Sequence, residues 1–330
     1  MNNTDRKKKL NALERLDKLF INPEKTGSKC SFGDFQTQIT FHDANAILYG
    51  IPLDITTSFG KGTVYGPKAI RTTSAKQIES FILDENKEIY EKIKIYDIGD
   101  LEIVNFKVDK RHKKKTSKNI FNRIESEMNE INSIIRNEKK IPIILGGEHT
   151  ISYFSIKSIS KENPIIIHFD AHRDMKPIYD GKKICHTTPF YHLISNGYVK
   201  GSDIIQIGIR QADRDENNIA INNDVHTFTG WEINENIYQT KEEIKKLTNN
   251  RNIYISFDID VYDICYVPCT GTPEPFGLNP FQIVQLLKSI NNTSKLIGID
   301  IVEVAVKNND YREGTLATQT LYRILSSTQQ

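Results

Sequence analysis

Short apolar runs with almost no polar residue inside them recur along this chain. They include AILYGI (46–51), KIYDIGDL (94–101), IPIIL (141–145), PIIIHF (164–169), DIIQIGI (203–209), VHTF (225–228), NIYISF (252–257) and LIGIDIVEV (296–304). A strand with one wet face alternates apolar and polar residues, so runs that do not alternate belong to strands buried on both faces. Between them lie helical patterns at 66–83, 116–138, 149–160, 279–290 and 312–327. In 116–138, Ile120, Ile124, Met128, Ile131 and Ile135 recur at helical spacing. Strands buried on both faces and alternating with helices imply βαβ units and an α/β fold around a mostly parallel sheet.

At 330 residues, the length allows two domains, but α/β folds of this size are often one. No repeat and no Pro/Gly/Ser linker divides the chain. The reading is an extension over 1–43 followed by one catalytic domain over 44–330. In the extension Leu10, Leu13, Leu16, Leu19 and Phe20 give a short helical pattern, a candidate interface helix or cover.

Composition removes several classes of function. The formal net charge is only +2, which argues against nucleic acid as a partner. The basic run Lys110–Lys115 reads as a solvated loop. No apolar stretch is long enough to span a bilayer, and MNNTDRKKKL lacks the apolar segment of a secretory signal. Cys30, Cys185, Cys265 and Cys269 have no framework spacing. They read as reduced thiols of a cytoplasmic protein.

The chemistry gathers where strands end. IPIIL runs into Gly146-Gly147-Glu148-His149, PIIIHF into Asp170-Ala171-His172-Arg173-Asp174, and NIYISF into Asp258-Ile259-Asp260. Sites of open α/β sheets form beyond the carboxyl ends of the strands. Residues two apart in extended chain share a face, which pairs Asp170 with His172 and Asp258 with Asp260. So many carboxylates in one cleft repel one another unless cations neutralise them. Histidine and carboxylate donors suit Mn²⁺ and similar ions, and carboxylates can bridge two of them. Two divalent ions would balance Asp170, Asp174, Asp258 and Asp260, and would acidify a water held between them.

GGEHT (146–150), DAHRD (170–174) and SFDIDVYD (256–263), in that order, resemble the ureohydrolase superfamily of arginases, agmatinases and formiminoglutamases. YGIPLDITTSFGKGTVYGPKAIR (49–71), IGDLEI (98–103), QIGIRQ (206–211), TGTPEPFGL (270–278) and GIDIVEV (298–304) are similar to its agmatinase branch. The likeness runs from about residue 44 to the end. It implies a three-layer α/β/α sandwich with about eight strands, assembled as a homo-oligomer (trimer or hexamer). It also implies two metal ions per chain, manganese first, with nickel or cobalt fitting the same donors.

By the same resemblance, His149, Asp170, Asp174 and Asp258 would hold one ion, and Asp170, His172, Asp258 and Asp260 the other. His186 in ICHTTPF would shuttle a proton to the leaving amine, a task that suits imidazole. Glu303 in DIVEV would pair with a guanidinium, for which a carboxylate is the natural partner. Asp263 would shape its loop.

The implied reaction is hydrolysis of a small guanidino substrate to urea and an amine, with agmatine first. Segment 175–185 lacks the Asn/Ser pattern of arginases. Asp180 or Tyr179 could meet the amine of agmatine, while Lys182 and Lys183 would suit a carboxylate tail such as that of guanidinobutyrate. Another guanidine ureohydrolase or a non-catalytic relative are the alternatives. Cys269 and Phe276 stand where the family carries glycine. They are expected to narrow the pocket if they line its mouth.

Overall fold

A computed structural model describes residues 16, 18–26, 29–34, 39–102 and 113–329, with the backbone alone over 113–119. Leu10, Leu13 and Lys110–His112 lie outside the described residues. The strands of the main sheet are β1 (Phe20–Ile21), β2 (Ala46–Ile51), β3 (Ile95–Leu101), β4 (Ile141–Gly146), β5 (Ile165–Phe169), β6 (Ile204–Ile209), β7 (His226–Thr229), β8 (Asn252–Asp258) and β9 (Lys295–Val302). The principal helices are α1 (Gly66–Lys76), α2 (Lys113–Asn137), α3 (Thr150–Ile159), α4 (Pro189–Ser195), α5 (Arg214–Asn222), α6 (Gly230–Leu247), α7 (Pro280–Leu287) and α8 (Arg312–Ser327).

The strands form one 9-stranded sheet in the order β1-β3-β2-β4-β9-β8-β5-β6-β7. Every pairing is parallel except that of the two-residue edge strand β1 with β3. Eight strands are thus the parallel set that the apolar runs call for, and β1 is an added edge.

Alternate residues of each strand feed opposite layers. Leu48, Ile143, Ile167 and Ile207 pack in one core with Ile70, Ile244, Leu286 and Leu321, from α1, α6, α7 and α8. Ile47, Ile144, Ile166 and Ile204 pack in the other with Ile131, Phe154, Leu193 and Ala220, from α2, α3, α4 and α5. Both faces being covered, a polar residue in these runs has no access to water. That is why the runs scarcely alternate.

Some boundaries differ from the sequence reading. The helix expected over 66–83 ends at Lys76, where the chain leaves helical backbone at Gln77 (φ −131°). Phe81–Ile82 then pairs antiparallel with Lys87–Glu88. Lys113–Lys115, read as loop, lie in the first turn of α2. In the amino-terminal part Leu16 is helical and buried, whereas Phe20 belongs to β1.

The sheet order positions the site. β4, β9, β8 and β5 are consecutive neighbours at its centre. From β4 the sheet continues to β2 and from β5 to β6, so the connectivity diverges across these four strands. A crevice beyond their carboxyl ends is where an open α/β sheet places its ligand.

Candidate active site

Each of the four central strands delivers its part from its carboxyl end. β4 leads to His149 at the start of α3, β5 to Asp170, His172 and Asp174, β8 to Asp258 and Asp260, and β9 to Glu303. The register agrees, with Asp258 beside Val302 and Phe257 beside Phe169.

His149 sits at the centre of the carboxylates. Its Nδ1 lies 3.1 Å from Asp170 Oδ2, 2.9 Å from Asp174 Oδ2 and 3.2 Å from Asp258 Oδ2. This nitrogen is buried and has no hydrogen-bond partner. His172 Nδ1 lies 3.0 Å from Asp260 Oδ2 and 3.5 Å from Asp170 Oδ1. All six residues expected from the sequence to bind metal therefore converge, with Asp170 shared between the two histidine groups. An imidazole nitrogen that faces three carboxylates without bonding to any is a donor set suited to a divalent cation.

Backbone N–H groups fix the carboxylates. Asp258 Oδ1 accepts from Asp260 N at 2.9 Å, Asp170 Oδ1 from His172 N at 2.5 Å, and Asp260 Oδ1 from Ala171 N at 3.0 Å. The last bond joins the β5 and β8 motifs. Asp174 (φ 52°) and Glu303 (φ 60°) hold left-handed backbone. That conformation is costly for a non-glycine residue and persists only where the surroundings enforce it.

Charge in the cluster is strongly uneven. Burial pushes Asp174 up to about 7, helped by Asp170 beside it. Burial, Asp260 and Asp170 drive Asp258 well above the usual carboxylate range. Burial opposes a charged His149, but Asp170, Asp174 and Asp258 outweigh it and raise that ring well above its ordinary value. Asp170, also disfavoured by burial, is held well below the usual range by His168, His149 and His172. A cation held among these carboxylates would bring the raised ones down again.

His168 also lies near His149 and Asp170, yet both of its nitrogens are engaged. Nε2 is 2.7 Å from Asp170 Oδ2 and Nδ1 is 3.3 Å from Gln206 Nε2. Its ring stacks on Phe190 at 3.9 Å. It serves as a hydrogen-bond partner behind Asp170.

A cavity of about 300 Å³ opens over the cluster, lined in part by His149, His172, Asp174, His186 and Glu303. That is at the lower end for small-molecule sites and suits a short linear ligand. Glu303 Oε1 accepts from His149 N at 2.7 Å. Its other oxygen faces Gly271, where a Cβ would come within 2.9 Å. His186 is buried, with Nε2 3.0 Å from Ser58 Oγ. Burial, and then the charges on His149 and His172, hold it down at about 4.

Other expected residues are placed elsewhere. Glu148, counted with the clustered carboxylates, is fully buried. It accepts from Ile55 N at 2.9 Å, Thr56 N at 2.6 Å and Thr57 N at 3.2 Å. It thereby anchors the segment that carries Ser58. Asp180 lies at the exposed tip of a tight turn, its Oδ2 2.7 Å from Lys182 Nζ. Tyr179 sets its ring edge-on to His186, 6.1 Å between centroids. Neither lines the cavity, and neither do Lys182, Lys183, Cys269 or Phe276. Phe276 takes left-handed backbone (φ 64°) with its side chain in solvent. Asp263 accepts from Cys265 N and Gly277 N, both at 2.9 Å, and so ties its loop to 277.

The cavity has lining residues that the sequence reading missed: Ser58, Lys176, Gln211, Asp213 and Glu216. Lys176 Nζ pairs with Asp213 and lies 2.9 Å from Glu216 Oε2. Asp213 and Glu216 also form the reciprocal cap of α5. The D-x-x-E spacing after β6 was the signal available for them.

The sequence profile of the arginase family matches residues 44–326. The chain belongs to the arginase family. An uncharacterised 32.2 kDa protein of Methanothermus fervidus is 32% identical over 280 residues, 84% of this chain and 90% of that protein. The agmatinase of Pyrococcus horikoshii is 30% identical over 268 residues, 81% of this chain and 86% of that enzyme. The structure of proclavaminate amidinohydrolase from Streptomyces clavuligerus superposes with a TM-score of 0.76 at 26% identity, over 86% of this chain and 91% of that one. The ureohydrolase resemblance and the arginase-like α/β fold are thereby shown, and arginase-family relatives of this kind are metal-dependent hydrolases.

Proposed function

We propose that this arginase-family protein hydrolyses a linear guanidino compound to urea and an amine, with agmatine as the preferred substrate. The observation that carries the reading is the unpartnered His149 Nδ1, set among three carboxylates within one cavity with Glu303. Two divalent ions, manganese first, would be held by His149, Asp170, Asp174 and Asp258 and by Asp170, His172, Asp258 and Asp260. Bound there, they would supply Lewis-acid charge and an acidified water.

The chain's own residues supply the remaining parts. Glu303 accepts N–H bonds from the guanidinium through the oxygen that His149 N leaves free. Burial, with Glu148 adding to it, keeps this carboxyl well above its usual range, and an incoming cation offsets that cost. Burial favours the neutral His186 ring, and a neutral imidazole can take a proton from the attacking water and pass it to the leaving amine. Ser58 holds that ring at Nε2. The 54–58 segment, fastened by Glu148, keeps Ser58 in place.

At the mouth, Lys176, Asp213 and Glu216 together carry one net negative charge. Asp213 is the more exposed acid, its side chain 52% accessible against 7% for Glu216. A primary amine tail fits beside it, which supports agmatine. The test is urea release from agmatine, guanidinobutyrate, arginine and guanidine by the manganese-loaded protein. Agmatine should give the highest kcat/KM, and absence of urea from all four would defeat the reading.

A further inference from the structure

We infer that Asp300, acting through Ser256, is a positioning residue that aims the His149 ring at the metal centre. The inference rests on His149 being a metal ligand. Asp300 lies inside β9, fully buried beneath the site, and the hydrolytic chemistry makes no use of it. Ser256 lies on the neighbouring strand β8 in register with Asp300. Its Oγ is 2.8 Å from Asp300 Oδ1 and 3.1 Å from His149 Nε2.

Burial raises the Asp300 carboxyl above its usual range, and its neighbours hold it in place. Tyr254 OH donates to Asp300 Oδ2 at 2.6 Å, and Ser155 Oγ, 2.7 Å away, can donate to that phenol. Ser256 Oγ thus stands between Asp300 and the far nitrogen of the His149 ring, with Ser152 Oγ 3.4 Å away. With Nε2 held there, Nδ1 is turned toward Asp170, Asp174 and Asp258.

Without Ser256 the far nitrogen loses this partner, and the ring loses the contact that fixes its direction. The partner on the far side of a ligating histidine commonly orients the ring and sets its tautomer. Here that partner is a hydroxyl backed by a buried carboxylate.

The test is Mn²⁺ binding by equilibrium dialysis of the full chain, comparing wild type with Ser256→Ala, Ser256→Cys and Ser256→Thr. Ala removes the hydroxyl, Cys keeps volume with a weak acceptor, and Thr keeps the hydroxyl. The expected pattern is a loss of about 10- to 100-fold in affinity for one of two ions in Ala and Cys. Affinity for the other should stay within about threefold, and Thr should bind the affected ion better than Ala. Equal binding by all four proteins would overturn the inference. So would loss of both ions in all three variants with a lowered Tm, since that marks a packing role alone. A wild-type protein that binds no Mn²⁺ would overturn both this inference and the ligand reading beneath it, and dialysis of wild type alone reveals that case.

Discussion

The backbone N–H of His149 donates to Glu303 Oε1 at 2.7 Å. The residue proposed to hold the guanidinium is thus fastened to the main chain of the residue at the centre of the carboxylate cluster. Glu303 N in turn donates to Gly147 O at 2.9 Å, just before His149. The proposed guanidinium pairing and metal binding would therefore share one piece of backbone, and displacement of either strand end would disturb both.

Glu303→Gln separates charge from geometry. The amide oxygen can still accept from His149 N, so metal content should be unchanged. The charge that pairs with a guanidinium is lost. We expect kcat/KM for agmatine to fall about a hundredfold or more, on the order of 3 kcal/mol. Steady-state kinetics with metal analysis of the same samples checks this, and a parallel loss of metal would point to a structural role.

The tail contact is tested at Asp213 against Asp180. Asp213→Asn keeps the cap of α5, since asparagine caps as well as aspartate, but removes the charge. It should raise KM for agmatine about tenfold and leave kcat within about twofold, as expected for a contact made equally in ground and transition states. Asp180→Ala should leave both parameters within about twofold, because Asp180, unlike Asp213, does not line the cavity. The reverse ranking would place the tail along the 179–182 turn.

The pH dependence of stability should carry a contribution from His186. Its folded pKa, about 4, lies below the ordinary 6.5 because burial and neighbouring charge disfavour the protonated ring. Above pH 6.5 neither state is protonated and nothing is lost. As pH falls from 6.5 to about 4, the unfolded chain gains a proton that the folded chain refuses, so stability drops, by up to about 3 kcal/mol. Metal-stripped His186→Gln should therefore gain on metal-stripped wild type across that interval. Tm measured against pH for both proteins gives the comparison, and a constant difference would contradict it.

Phe276 offers a test away from the chemistry. Its left-handed backbone costs a non-glycine residue about 1 kcal/mol or more, and the exposed ring returns little. Phe276→Gly should raise Tm by about 1–3 °C and leave activity unchanged. A lowered Tm would mean that the ring packs against something in solution.

The strands and the gathering of the histidines and acids at one sheet edge were legible for one physical reason. Runs such as PIIIHF and NIYISF must be buried on both faces, and the acids directly behind them can only emerge at one edge of the sheet. Helices α4, α5 and α6 were not read. α5 buries little beyond Glu216 and Ala220, so no apolar stripe announces it. In α6, Ile233, Ile237, Thr240 and Ile244 do keep helical spacing, but Asn236 interrupts the helix with φ −152°. The capping boxes Asp213/Glu216 and Thr229/Glu232 were the remaining local signals. Asp180 looked suitable for the tail because it is a carboxylate in the 175–185 segment. A tight turn at Asp180-Gly181, with both residues at positive φ, carries it outward instead.

The central claim is a two-ion hydrolytic centre, and one titration tests it most directly. Protein stripped of metal at low pH and returned to neutral pH is titrated with Mn²⁺, and bound ions per chain and urea release from agmatine are followed together. The account predicts no urea from stripped protein and activity that reaches its plateau as binding reaches two ions per chain. Full activity without bound metal, or two bound ions with no urea from agmatine or any other guanidine, would contradict it.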